Sequence, residues 1–510
     1  MKKIIKYLAI PAIAFGFMAC EPEFDEDITE DAFFTSGEAN FSNYVAVGNS
    51  LTAGFADSAL YITGQENSYP NIMATQFALA GGGAFVQPLV NDNLGGLVLG
   101  GTQITQNRFV LATDENGNPG PAILAGTPTT DAGVTISGNF NNMGVPGARS
   151  FDLVFPGYGN IANFPLANPY FARFASEPNA TVLADAVAQN PSFFSLWIGN
   201  NDILGYATSG GSGVDQTGNL DPSTYGGSDI TDPNVFASVY SQQVTALVGT
   251  GAQGVLVNLP DVTSIPFFTT VPTQSIPLDA PTAAFLNMQF DLYNTTVLPG
   301  LVQFGVITAA EAAARQVVFT EGVNFPTMSD DDLTDVSAIL QGPPIFLDEA
   351  TANLLGTLRQ ATSSDILPLT AAGVLGTLVN GDPTLINGVS VPLADQFVLS
   401  MTEQARITVA QASYNATIEG LAAANGLALA DAQTALQELA DGGTPFNGGV
   451  LTSTFVTGGG FSLDGVHPTP RGYALTANVI LDAVNAQYGS NIPNVDIGNF
   501  ATVTISDDVD

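Results

Sequence analysis

Basic side chains are nearly absent from this chain. Its 510 residues include 10 Lys and Arg against 47 Asp and Glu, a net charge of −37. The three lysines, Lys2, Lys3 and Lys6, all lie at the extreme N-terminus; beyond them seven arginines face all 47 acids, a net −40. A surface of that sign repels phosphate backbones, which excludes nucleic acid as a partner. It also disfavours adsorption to anionic lipid by charge alone. There is one cysteine, so no disulfide can form within the chain and stability must come from packing. There is one histidine, so chemistry that needs an imidazole has a single candidate. Charged residues make up only 11%, well below the usual quarter, and Asn, Thr, Ser and Gly supply most of the polar surface. Past the N-terminal segment no apolar run is long enough for a membrane-spanning helix. Apolar side chains are plentiful at 45%, which is enough to build a core and rules out general disorder. The length fits one large domain with insertions, or two domains.

Residues 1–19 read as a signal peptide. The basic start precedes a 12-residue apolar run, Tyr7–Met18, too short to span a bilayer. The ending Phe17-Met18-Ala19-Cys20 resembles a bacterial lipobox. That resemblance implies cleavage before Cys20 and lipidation of Cys20, although Phe and Met replace the commoner Leu and Ala or Ser. The plainer alternative is a secretory signal with a chance cysteine. Seven acids fall in the 14 residues that follow Cys20, so residues 20–40 read as a solvated acidic tether. This stretch also resembles the surface-export signals of Bacteroidetes lipoproteins. The expectation is an exported outer-membrane lipoprotein, at the cell surface or, without lipidation, secreted.

From Phe41 the pattern becomes globular. Tyr44–Val47, Phe193–Ile198 and Gly254–Asn258 are short apolar runs that read as buried strands. Pro70–Leu79 and Val235–Val248 read as helices. Ala80–Gly101 is glycine-rich and irregular. Asp114–Asn118 has the acids of a calcium loop, but its Asn-Gly between apolar runs reads better as a hairpin turn. Strands alternating with helices predict an open parallel α/β sheet. Residues 266–400 break the rhythm and are expected to form a large, mostly helical insertion. Within it, Ser329-Asp330-Asp331-Asp332 reads as a solvated helix start whose spacing does not support a metal site. Ile407, Ala410, Tyr414, Ile418 and Leu421 repeat at helical spacing, Asn425-Gly426 supplies a stop, and Leu427–Ala430 is the last strand. No repeat at a fixed period occurs.

Four segments carry chemistry: Gly48-Asn49-Ser50-Leu51, Asn142 through Gly147-Ala148, Gly199-Asn200-Asn201-Asp202, and Asp464-Gly465-Val466-His467-Pro468. Ser50 sits where a strand hands over to a helix, with its hydroxyl exposed at a strand's carboxyl end. Its own N–H there suits anion stabilisation. Pro468 pushes His467 out of helical geometry. Thr469 and Pro470 then offer N-cap and first-turn residues for a helix to about Gly489. Asp464 and His467 therefore share a tight loop, and an imidazole base with an orienting carboxylate is what a serine hydrolase needs. Each residue also has a plainer role: N-cap for Ser50, turn residues for Asn201 and Gly147, a satisfied core or surface position for His467.

In this order the four segments resemble the blocks of the GDSL, or SGNH, hydrolases. Asn49 stands in place of the eponymous aspartate. The resemblance runs to about Asp261 and again from about Thr402 to Gly489, leaving the insertion outside it. It implies a three-layer α/β/α flavodoxin-like hydrolase domain over residues 41–500. It assigns Ser50 as nucleophile, His467 as base and Asp464 as its orienting acid. The Ser50 N–H, the Gly147 N–H and the Asn201 side-chain amide would form the oxyanion hole, and no metal or organic cofactor would be needed. Asp261, at the end of a strand, is a backup acid that reads better as a turn residue. The expected activity is ester hydrolysis on lipid or small acyl esters. The alternatives are a carbohydrate O-acetyl esterase and a surface binding lipoprotein with little turnover.

Overall fold

The computed structural model describes residues 33–343 and 345–510. The signal peptide, Cys20 and the tether as far as residue 32 lie outside the described residues.

Five parallel strands form the central sheet: β1 (Tyr44–Gly48), β2 (Asn142–Gly144), β3 (Phe193–Trp197), β4 (Gln253–Val257) and β5 (Ala428–Ala430), in the order β2-β1-β3-β4-β5. Every residue of β1 and β3 is buried, as expected for strands covered on both faces, which read as continuous apolar runs. The helices that flank the sheet include α1 (Ser50–Ala53), α2 (Tyr69–Phe77), α3 (Val182–Ala188), α4 (Asn201–Thr208), α5 (Pro233–Val248), α6 (Met401–Asn425), α7 (Ala432–Asp441) and α8 (Pro470–Tyr488). Two groups of helices pack onto the sheet. In one, α2 lies against α8; in the other, α5 lies against α3 and α6. The architecture is therefore α/β around a parallel sheet. Strand order reverses at β1, whose neighbours are β2 and β3, and such a switch point opens a crevice at the strands' carboxyl ends.

Local chemistry fixes the helix ends as the sequence suggests. Thr469 Oγ1 accepts from Gly472 N–H, Pro470 opens α8, and Gly489 closes it at φ 65°. Ser400 and Glu403 form a reciprocal capping box on α6, and Gly426 ends that helix at φ 64°. Asp114–Asn118 is a hairpin turn between the antiparallel strands Phe109–Thr113 and Pro119–Ile123, with Asp114 Oδ1 accepting the Asn116 and Asn118 N–H groups.

The structure corrects or refines four readings. Asn142–Gly144, taken only as a motif, is a strand, so Phe193–Trp197 and Gln253–Val257 come third and fourth in the sheet. Three residues with no apolar alternation give no periodic signal. The tether does not run free to residue 40: Ala39 is buried in the main core and Glu38 N–H donates to Tyr488 O at the end of α8. The regular structure of the insertion is mainly helical as expected, but helices cover less than half of residues 266–400 and four short strands stand among them. Helices cover Ala280–Leu292, Leu298–Gln303, Ala309–Ala314, Ser337–Gln341 and Glu349–Gly356, and two antiparallel strand pairs, Ile276–Leu278 with Gly322–Asn324 and Thr327–Ser329 with Leu358–Gln360, are interspersed with them. Residues 361–400 hold only 3₁₀ turns and isolated bridges. Pro368, Gly373, Gly376, Gly381, Pro383, Gly388 and Pro392 interrupt that stretch. Finally, Asp330–Asp332 is a turn, and the following helix begins only at Ser337. The insertion has two apolar clusters of its own, one around Leu298, Val317 and Leu340 and one around Met328, Leu367 and Leu393.

Candidate active site

Ser50 is the first residue of α1, a single turn opened by Asn49. The Asn49 Oδ1 accepts the Leu51 N–H at 3.0 Å, and its Nδ2 donates to Asn200 Oδ1 at 3.2 Å. An asparagine thus serves the loop as an aspartate would, while tying the Ser50 turn to the Asn200 loop. The strand must end in glycine here: a Cβ on Gly48 would meet Thr52 Oγ1 at 2.1 Å and Trp197 O at 2.4 Å.

Ser50 Oγ lies 2.9 Å from His467 Nε2, and His467 Nδ1 lies 2.9 Å from Asp464 Oδ2. The segment between α7 and α8 thus delivers the only imidazole to a serine 417 residues away in sequence. Asp464 is heavily bonded. Its Oδ1 accepts the Val466 and His467 N–H groups, each at 2.8 Å, and the Ser462 hydroxyl at 3.0 Å. Its Oδ2 also accepts the Ser58 N–H at 2.9 Å. Burial opposes ionisation of Asp464, but the His467 ring and these N–H donors outweigh it and bring its pKa down to about 2. The carboxylate is therefore charged at any ordinary pH, and the Nδ1–H of His467 points at it.

The remaining predicted groups lie across the crevice. Gly147 has φ 81°, and a Cβ there would meet no atom within 4 Å, so the backbone turn, not crowding, demands glycine. Neither the Ser50 N–H nor the Gly147 N–H donates to a protein acceptor among the described residues. Asn201 opens α4, and its Nδ2 donates to Ala148 O at 2.8 Å, which fixes the amide beside the Gly147 loop. Asp202 holds the same loop from below: Oδ2 accepts Ser150 N–H at 2.8 Å and Oδ1 accepts Ser150 Oγ–H at 2.7 Å. Burial pushes the Asp202 pKa up to about 6 despite these bonds. Asn168 Nδ2 also donates to Pro146 O at 2.8 Å. Asp261, the backup acid, caps a 3₁₀ turn by accepting from Thr263, as its turn reading implied.

Several supporting residues escaped the sequence reading. Asp57 and Ser58 both have positive φ, 53° and 64°, an uncommon conformation for non-glycine residues. That turn aims the Ser58 N–H at Asp464, while Asp57 accepts from Tyr61 OH and Leu463 N–H. Adjacent positive-φ residues leave no mark in composition. The Phe55 ring packs 4.8 Å from the His467 ring.

An apolar cavity of about 120 Å³ opens from Ser50 and His467. It runs between α7 and α8, lined by Val257, Ile265, Leu436, Leu439, Leu475 and Val479 among others. On the other side of Asn201 and Leu204, a wider groove of about 580 Å³ carries Gly147, Arg149 and Tyr158. The serine thus stands between a greasy slot and a more polar, open trough. No protein-family model, no curated protein and no solved structure matches the chain.

Proposed function

We propose that this chain is a serine ester hydrolase of the GDSL or SGNH type, acting through an acyl-Ser50 intermediate. The observation that carries the reading is the unbroken run of hydrogen bonds Ser50–His467–Asp464 at the carboxyl edge of a parallel sheet. The strand order, numbered from the N-terminus as 2-1-3-4-5, is that of flavodoxin-like sheets and agrees with the fold this family would have.

His467 Nε2 takes the Ser50 proton as Oγ attacks the ester carbonyl. Asp464 keeps the other ring proton on Nδ1 and stabilises the imidazolium. The carbonyl oxygen, now an anion, is received by the Ser50 N–H, the Gly147 N–H and the second Asn201 amide proton. One such donor is worth about 2.7–4 kcal/mol to the transition state. The proton on Nε2 passes to the leaving alcohol, and water then repeats the sequence to free the acid. The cycle uses no metal or organic cofactor.

The apolar slot supports an acyl chain as the part of the substrate held beside α7 and α8, with the alcohol in the groove past Gly147. A carbohydrate O-acetyl esterase would leave that slot unused. The substrate class proposed is therefore lipid or other acyl esters. The protein would work after export, anchored in the outer membrane through lipidated Cys20.

A fluorophosphonate probe and a p-nitrophenyl ester series from acetyl to dodecanoyl test the reading. Labelling should fall on Ser50 and vanish in Ser50→Ala, with rates highest for medium or long chains. Labelling elsewhere, or activity retained in Ser50→Ala, would refute it. An acetyl optimum would favour the sugar esterase, and no turnover at all the binding lipoprotein. Metabolic labelling with a radioactive fatty acid, lost in Cys20→Ala, tests the anchor.

A further inference from the structure

The turn that the sequence presents as a surface run of aspartates meets two other acids. One carboxylate oxygen from each of Asp331, Asp395 and Glu403 lies within 4.8 Å of the other two. The three come from separate segments: the turn after Thr327–Ser329, a 3₁₀ turn near the end of the insertion, and the first turn of α6. Asp331 is exposed, Asp395 half-buried and Glu403 buried, so the cluster forms a short path from solvent to interior.

No cation forms an ion pair with these three carboxylates among the described residues. Arg359 is committed to Asp330 and Asp365, and Arg406 to Asp332 and the Tyr206 hydroxyl. Glu403 carries the sharper anomaly. It is 1% exposed; its Oε2 accepts the Ser400 N–H, while its Oε1 has no hydrogen-bond partner. Leaving a carboxylate oxygen buried and unpaired is costly, and buried charges are ordinarily paired or ligate a metal. The wall is close-fitting as well. A Cβ on Gly211 would meet the Glu403 carboxyl carbon at 2.1 Å, and one on Gly210 would meet Asp395 O at 2.5 Å.

We infer that Asp331, Asp395 and Glu403 bind a divalent cation, calcium in the first place. Three carboxylates with no nitrogen or sulfur donor form a hard oxygen set. One exposed and one half-buried ligand leave room for the water that completes a calcium shell, and donors on flexible turns suit its loose geometry better than the strict octahedron of magnesium. The ion would clip the insertion, through Asp331 and Asp395, to the sheet-packed helix α6, through Glu403. This site is separate from Ser50 and does not depend on the hydrolase reading.

The test is calorimetric calcium titration and thermal melting of the full chain after EGTA treatment, at fixed ionic strength. An acidic protein also collects cations diffusely, so Asp331→Asn, Asp395→Asn and Glu403→Gln are compared with wild type. Glutamine keeps the capping box of α6, and Asp331 is exposed, so at least one variant should fold. The expected result is one saturable site with a dissociation constant on the order of 10⁻⁴–10⁻³ M, typical of extracellular modules. Melting temperature should rise by several degrees with calcium and less with equimolar magnesium, and both the site and the rise should be lost in the variants. Equal calcium responses in wild type and Asp331→Asn, or no saturable site in wild type, would overturn the inference.

Discussion

Replacing Asp464 by asparagine is the sharpest perturbation of the proposed triad, because shape is kept and only the charge and one acceptor change. Five donors converge on this carboxylate: three on Oδ1, from Ser462, Val466 and His467 N–H, and two on Oδ2, from Ser58 and His467 Nδ1. An amide must turn its NH₂ toward one of these sets. Facing the Oδ1 set, it opposes two backbone N–H groups that have no other orientation. Facing the Oδ2 set, it opposes one backbone N–H and the ring. The second choice is the less crowded, and it is relieved if His467 moves its proton from Nδ1 to Nε2. That tautomer can no longer take a proton from Ser50. A wrong-tautomer block costs on the order of 10⁴ in kcat, about 5.5 kcal/mol at the barrier. We therefore expect Asp464→Asn to fold, to bind substrate with little change in KM, and to lose roughly 10³–10⁴ in kcat on its best p-nitrophenyl ester. Stability adds a second readout. With a folded pKa of about 2, below the ordinary 3.8, the Asp464 carboxylate contributes stability that is full above about pH 4. That contribution, on the order of 2 kcal/mol, is lost as pH falls through about 2. The melting gap between wild type and Asp464→Asn should close as pH falls below about 4. A kcat within tenfold of wild type, or a gap that does not change with acid, would refute the reasoning.

Three further expectations rest on other parts of the structure. Asn201→Ala deletes one proposed oxyanion donor together with its bond to Ala148 O, so kcat should fall by about 10²–10³ with KM little altered, as steady-state kinetics will show. Ala435→Phe should fill the slot between α7 and α8. Denying about three methylenes their burial at ~0.8 kcal/mol each should cut kcat/KM for long acyl esters roughly 60-fold and spare acetyl esters. At a net charge of −37 the chain repels itself at low ionic strength, so melting temperature should climb with NaCl as screening tightens to about 8–10 Å. A flat or falling curve would contradict that.

The parts of the fold that could be read from sequence were those with local causes. Strands β1, β3 and β4 are apolar runs because both faces are covered, and α6 and α8 carry their stops and caps in the chain itself, at Gly426, Thr469, Pro470 and Gly489. His467 stood out by being the only imidazole, and Asp464 by standing three residues before it. Features made by distant pairings were not legible. Strand β2 is three residues of polar and small side chains held by β1. The Asp57–Ser58 turn acquires meaning only when Asp464 arrives from more than 400 residues away. The slot beside Ser50 exists because α7 and α8 face each other across the end of β4. Asp331 looked like one of a solvated run until the fold set Asp395 and Glu403 beside it.

The order of the chain also governs when the proposed chemistry can begin. Ser50 emerges early, whereas its imidazole and carboxylate belong to the last 50 residues, beyond the whole insertion. A chain crossing a membrane N-terminus first, or one cut anywhere before Asp464, presents a serine with no base to take its proton. Such a chain would pass the lipid esters around it without attacking them. Hydrolytic competence would arrive in a single late event, the docking of the loop before α8, and would double as a report that the molecule had been completed.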